Sequence, residues 1–118
     1  MADYAESIVF RAVLRDARTN APLEGVWVYE AADVWLLGST DAPAFALGHT
    51  DSRGKVEGRA TTIWDRRRGP SAKFPGVAIL FTKPGYVSRE VRLGGPAFPE
   101  EPVELGEIAL EKRAQDRE

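Results

Sequence analysis

Residues 77–93 read Val-Ala-Ile-Leu-Phe-Thr-Lys-Pro-Gly-Tyr-Val-Ser-Arg-Glu-Val-Arg-Leu, and this stretch decides the fold. Val77 to Phe81 is an unbroken apolar run of β-forming residues, short enough for a strand buried on both faces and too short for a core helix. Lys83-Pro84-Gly85-Tyr86 then turns the chain. Proline presets φ at the first central position of a type II turn, and glycine takes the positive φ required at the second. A second strand is expected at once. Val87, Val91 and Leu93 fall on one side at period two, interrupted by Arg89, while Ser88, Glu90 and Arg92 face water. The stretch is therefore a hairpin, with Tyr86 placed to send its hydroxyl to backbone as in a tyrosine corner.

Upstream, Ile8, Phe10, Ala12 and Leu14 alternate with more polar neighbours and predict a strand, although Val9 and Val13 lie on its other face. Asp16 to Pro22 is turn chemistry: Asp and Asn bond their own backbone, and Asn20 tolerates the left-handed region. A second strand follows Gly25, with Val26 and Val28 on one face and Trp27 and Tyr29 on the other. Residues 30–48 fit either a short helix stopped by Gly38 or an extra strand. Phe45, Leu47 and His49 alternate into Thr50-Asp51-Ser52-Arg53-Gly54-Lys55, read as a hairpin turn with glycine at the left-handed position, after which Val56, Gly58 and Ala60 point inward.

Residues 61–76 are too punctuated by Gly, Pro and charge for one regular element and are expected to form a long exposed loop. Residues 94–102 are an irregular crossing segment. In the last strand the apolar positions Val103 and Leu105, then Ile108 and Leu110, change parity at Gly106, so a bulge there is needed to keep both pairs facing the core. About seven short strands separated by turns predict an all-β Greek-key sandwich with two long inserted loops. The expected organisation is an N-terminal tail over 1–7, one domain over 8–110 and a charged, frayed tail over 111–118.

Composition narrows the function classes. The chain has 118 residues, no cysteine and one histidine, which excludes disulfides, thiolate metal sites and a cysteine nucleophile. A net charge of -2 argues against a nucleic-acid partner, and no apolar run has the length of a membrane span. Without a secretory signal or cysteines, the cytoplasm is favoured if Met1 is the native start. Neither metal nor cofactor is implied. Charge is uneven, with Arg66, Arg67, Arg68 and Lys73 making a basic island and Glu100, Glu101, Glu104, Glu107 and Glu111 an acidic C-terminal portion.

Four landmarks, Asp16-Ala-Arg-Thr-Asn-Ala-Pro-Leu-Glu-Gly-Val26-Trp-Val28, Thr50-Asp51-Ser-Arg-Gly54-Lys, Lys83-Pro-Gly85-Tyr86 and Leu105-Gly106-Glu-Ile108-Ala-Leu110, occur in order and resemble those of the carboxypeptidase regulatory-like domain. The resemblance spans residues 8 to 110. It implies a transthyretin-like (prealbumin-like) seven-stranded Greek-key sandwich and an accessory role, and it carries no catalytic residues. Segments 30–48 and 61–76 look longer than that family has. Some transthyretin-like proteins hydrolyse a purine breakdown product with several histidines, an arginine and a terminal Tyr-Arg-Gly-Ser; here there is one histidine, and the chain ends Gln-Asp-Arg-Glu.

The candidate site residues fall into three groups. Trp35, Trp64 and Phe74 are expected to anchor apolar contact while Arg66, Arg67, Arg68 and Lys73 steer an acidic protein partner, with a homo-oligomer as a further option. Trp27, Tyr29 and Trp35 are the alternative, a platform for stacking sugars, unless segment 30–48 folds over that face and buries them. His49 is the default general base of an unfavoured small hydrolase, since no second histidine accompanies it. Asp51 reads as a turn aspartate, because Arg53 and the spacing do not suit a calcium loop.

Overall fold

A computed structural model describes residues 4–31, 46–64, 77–93 and 102–113, with the backbone alone for 4–7 and 61–64. Seven strands form: β1 (Tyr4–Asp16), β2 (Trp27–Glu30), β3 (Gly48–His49), β4 (Lys55–Trp64), β5 (Val77–Thr82), β6 (Arg89–Leu93) and β7 (Val103–Leu110). They make two sheets, ordered β4-β1-β7 and β3-β2-β5-β6. The seven-stranded Greek-key sandwich expected from the sequence is thus the observed architecture. β1 is central to the smaller sheet, antiparallel to β4 and parallel to β7.

Period two fills the core. Ile8, Phe10, Ala12 and Leu14 of β1 are buried against Val28, Ile79 and Phe81 of the facing sheet, with Ile108 and Leu110 of β7 closing one side. In β5 the face with Val77, Ile79 and Phe81 is fully buried and the other only partly, so the strand is not buried equally on both sides. Phe10 pairs with Gly58, where a Cβ would stand 2.6 Å from the Phe10 ring. Glycine here makes room for the ring. Gly106 carries φ +74° in the expected bulge: β1 advances from Arg11 to Val13 while β7 advances from Glu104 to Glu107, which keeps both apolar pairs of β7 toward the core.

Several boundaries differ from the sequence reading. β1 begins at Tyr4 and β4 runs on to Trp64, because the two strands pair with each other through Tyr4 and Trp64; residues 4–7 are therefore strand rather than tail, residues 61–64 belong to β4, and the rest of the expected loop, 65–76, lies outside the described residues. The turn at 50–55 has Gly54 at φ +77° but is not a hairpin. β3 pairs with β2 and β4 with β1, so this turn crosses between sheets. Val87 does not join the buried face: it is 50% exposed, and β6 starts only at Arg89. The Tyr86–Val87 segment instead binds the chain after β7. Val87 N–H donates to the Glu111 carbonyl and Arg113 N–H to that of Gly85, so residues 111–113 are held rather than frayed. Residues 32–45, on which the helix-or-strand alternatives fall, lie outside the described residues.

Arg89, which interrupts the apolar face of β6, reaches across the sandwich and donates to the Ala109 carbonyl of β7. The arginines of β1 meet glutamates of both flanking strands: Arg11 lies 2.9 Å from Glu57 of β4 and 3.4 Å from Glu104 of β7, and Arg15 lies 3.3 Å from Glu107 of β7. The exposed Arg11 pairs contribute under about 1 kcal/mol each.

Thr50 is the buried polar knot between the sheets. Its Oγ1 accepts from Val26 N–H at 2.9 Å and donates to the Leu23 carbonyl, while its own N–H and carbonyl bind Val26 and Gly25. Thr50→Val keeps the shape and removes two hydrogen bonds, leaving a buried donor and acceptor unpaired. We expect it to lower unfolding free energy by about 2–4 kcal/mol in urea titration, and Thr50→Ser to lose much less. Equal losses from the two would show that the hydroxyl is not what matters.

Candidate functional site

The two ends of the sandwich are built differently. At one end the junctions between strands are laced together. Asp16 ends β1 and is only 8% exposed as a residue: Oδ1 accepts from the N–H groups of Arg18 (2.8 Å) and Thr19 (3.0 Å), and Oδ2 accepts from the Tyr86 hydroxyl at 2.7 Å. The expected tyrosine hydroxyl bond therefore goes to a side-chain carboxylate, not to backbone. Leu14 N–H donates to Gly54, Gly25 N–H to Thr50, and Ala17 N–H to Leu110, while Asn20 supplies the left-handed residue at φ 65°. Asp51 is the turn aspartate expected, its Oδ1 accepting from Arg53 and Lys55 N–H.

Every strand that stops or starts at this laced end has its other terminus at the opposite one. Tyr4, Glu30, Gly48, Trp64, Val77, Leu93 and Val103 are those opposite termini. The two longest connections, 31–47 and 65–76, and the shorter 94–102 therefore leave and return at the same end of the molecule, while 17–26 joins β1 to β2 at the laced end. β7 pairs with β1 only as far as Val103 opposite Phe10, so β1 and β4 continue as a two-stranded ribbon for about 20 Å, to the position where Tyr4 faces Trp64.

Of the first group of sequence candidates, Trp64 sits at this ribbon tip, whereas Trp35, Arg66, Arg67, Arg68, Lys73 and Phe74 lie outside the described residues. The aromatic platform divides. Tyr29 is only 2% exposed although it points away from the Val28 face, so it offers no ring for stacking. Trp27 is half-buried, its ring 5.0 Å from that of His49 at an interplanar angle of 54°. Trp27 stands opposite His49 on one side and Thr82 on the other, and Ser88 Oγ donates to Thr82 Oγ1 at 3.0 Å. These four residues make one line across the outer face of the larger sheet, near the laced end and away from the loop end. Sequence reasoning missed the hydroxyls because their placement depends on strand pairing.

His49 is exposed, with Nδ1 3.4 Å from the Thr50 carbonyl. Its ring meets an indole rather than a carboxylate or a nucleophile. Ser52, its neighbour in sequence, lies in the exposed turn. Among the described residues no group of three or more His, Asp or Glu could hold a metal ion, and no helix is long and apolar enough to cross a membrane.

No family model matches the chain, that of the carboxypeptidase regulatory-like domain included. No curated protein matches it either. Among solved structures, the chain is similar to 3-chlorocatechol 1,2-dioxygenase from Rhodococcus opacus 1CP (17% identity, TM-score 0.49, 94% of this chain and 62% of that one). It is similar also to the group B streptococcus pilus 2b backbone protein (15%, 0.44, 93% and 43%) and to shaft pilin SpaA from Lactobacillus rhamnosus GG (18%, 0.41, 94% and 52%). The chain thus spans less than two thirds of the length of each of these proteins.

The laced end carries a pH signature. The Tyr86 hydroxyl, then the Thr19 and Arg18 amides, hold Asp16 down to about 2, and the same bond together with burial holds Tyr86 up to about 12. Because the Asp16 value is depressed on folding, its contribution is present above the unfolded value of 3.8 and is lost as pH falls toward 2; it amounts to about 2 kcal/mol. The Tyr86 side of the same bond is present below pH 10 and is lost as pH rises toward 12. Tyr86→Phe is expected to lower stability by about 2 kcal/mol at pH 7 and by clearly less near pH 2. Denaturant titrations of both proteins at the two pH values check this, and a pH-independent difference would refute it.

Proposed function

We propose that the chain is a non-enzymatic accessory module that binds another protein at the end of the sandwich from which segments 30–48 and 61–76 depart. What carries this reading is the placement of the strand termini: both segments are anchored at one end, and the opposite end is closed by its own hydrogen bonds. A rigid scaffold that carries its two longest connections at one end is a common platform for recognition. In this reading Trp35, Trp64 and Phe74 supply apolar anchors, and Arg66, Arg67, Arg68 and Lys73 steer a partner with an acidic surface.

The polar groups that the sequence offers for chemistry are engaged in the fold where they are described. Asp16 and Asp51 accept turn hydrogen bonds and His49 packs on Trp27, which supports a binding role over a hydrolytic one. A second reading, sugar stacking, retains the half-exposed Trp27 beside the Thr82 and Ser88 hydroxyls. Calorimetry against a glycan panel decides it, with heat that disappears in Trp27→Ala as the supporting result and no heat from any glycan as the end of it.

For the main reading, the chain is immobilised and proteins retained from lysate are quantified at low and high salt. Alanine at all four basic positions is expected to remove the retained acidic proteins and most of the salt sensitivity, whereas Arg18→Ala at the closed end leaves both intact. The same proteins recovered in the same amounts by the four-alanine chain would rule out steering by the 65–76 segment.

A further inference from the structure

Tension carried along a polypeptide enters a domain through its outermost strands, and their pairing decides how the domain yields. Among the described strands these are β1 and β7, which are hydrogen-bonded neighbours and run parallel, from Phe10 opposite Val103 to Asp16 opposite Leu110. They are also loaded at opposite ends of the sandwich. The chain enters β1 at Tyr4, the tip of the ribbon at the loop end, and leaves β7 at Leu110, at the laced end. A pull on the chain therefore drives β1 and β7 past each other along their own axes. In that geometry the evenly spaced rungs of a parallel pair share the load and break together, whereas strands drawn apart from one end lose them one at a time.

Both strands are backed against that load. β1 is held on its other edge by β4, from Tyr4 opposite Trp64 to Val13 opposite Lys55, and this pairing also lies along the direction of pull. The ribbon consequently has no end from which β1 peels. The end of β7 is held by the Ala17 N–H on the Leu110 carbonyl and by the Arg89 side chain on that of Ala109. Beyond it, residues 111–113 are tied to Gly85 and Val87. Arg11 with Glu104 and Arg15 with Glu107 add side-chain links between the sliding strands. The hydrogen-bond alternation shows which backbone groups make the rungs. Leu14 turns its N–H to Gly54 and its carbonyl to Leu23, on the β4 side, so Arg11, Val13 and Arg15 turn theirs to β7.

We propose that the β1–β7 pair is a mechanical clamp, through which the domain transmits tension along the chain without unfolding. This role is separate from binding by segments 30–48 and 61–76, since it uses neither.

Single-molecule force spectroscopy tests it, and the absence of cysteine lets introduced thiols define the points of attachment. Handles joined before Met1 and after Glu118 load the pair in shear. Handles on Arg18→Cys and Arg113→Cys, two exposed positions at the laced end, draw the same strands apart from one end. The unfolding force is expected to be about twofold or more higher in the first arrangement than in the second. Val13→Pro removes a rung toward β7 while sparing the bonds to β4 and is expected to lower the end-to-end force. Thr50→Val weakens a knot off the path of the load and is expected to leave that force unchanged despite its lower equilibrium stability. Circular dichroism checks that each variant is folded, and the comparison of the two attachments does not depend on Val13→Pro folding. Equal forces in the two arrangements would overturn the clamp. So would a folded Val13→Pro chain as strong as the parent, or an end-to-end force lowered as much by Thr50→Val as by Val13→Pro.

Discussion

The buried carboxylate of Asp16 is the constraint on which the closed end depends. A carboxylate withdrawn from water is tolerated only when donors replace the hydration it loses. Tyr86 and two backbone amides provide those donors. The result ties the end of β1 to the turn between β5 and β6, which belong to the other sheet. Thr50 makes a comparable tie between the crossing turn and the start of β2. Two small polar knots, rather than one large apolar contact, thus fix how the sheets meet at this end.

That arrangement separates the tasks of the two ends. Laced backbone ties one end together, and the two longest connections depart from the other. The outer faces differ as well. The smaller sheet displays arginines of β1 between glutamates of β4 and β7. The larger sheet displays the half-buried Trp27 with its histidine and hydroxyl neighbours.

Much of the fold was legible because it rested on local signals. The Pro84-Gly85 turn, the parity change at Gly106, the left-handed Asn20 and Gly54, and the period-two faces of β1 and β5 are all written within a few residues of one another. What could not be read depends on pairing between distant segments. Nothing near residues 61–64 announces that they continue β4; their strand character comes from Ser7 to Tyr4 lying alongside. Likewise Tyr86 finds Asp16 seventy residues away, and Arg89 finds Ala109 across the sandwich. For the site, the aromatic residues were visible as types, but the burial of Tyr29 against the partial exposure of Trp27 depends on what covers each.

The position of β1 also governs how the chain can be made. Its two neighbours are β4 and, in parallel, β7, the last of the described strands. Synthesis delivers the N-terminal strand first, and domains complete only when their distant pairings can close. From the moment β1 emerges until residues 103–110 follow, one of its edges has no intended partner. A strand so apolar on one face is then a target for other nascent chains. The sandwich therefore closes only once β7 has emerged, and its exposure to misassembly is set by the time the ribosome takes to travel from β1 to β7.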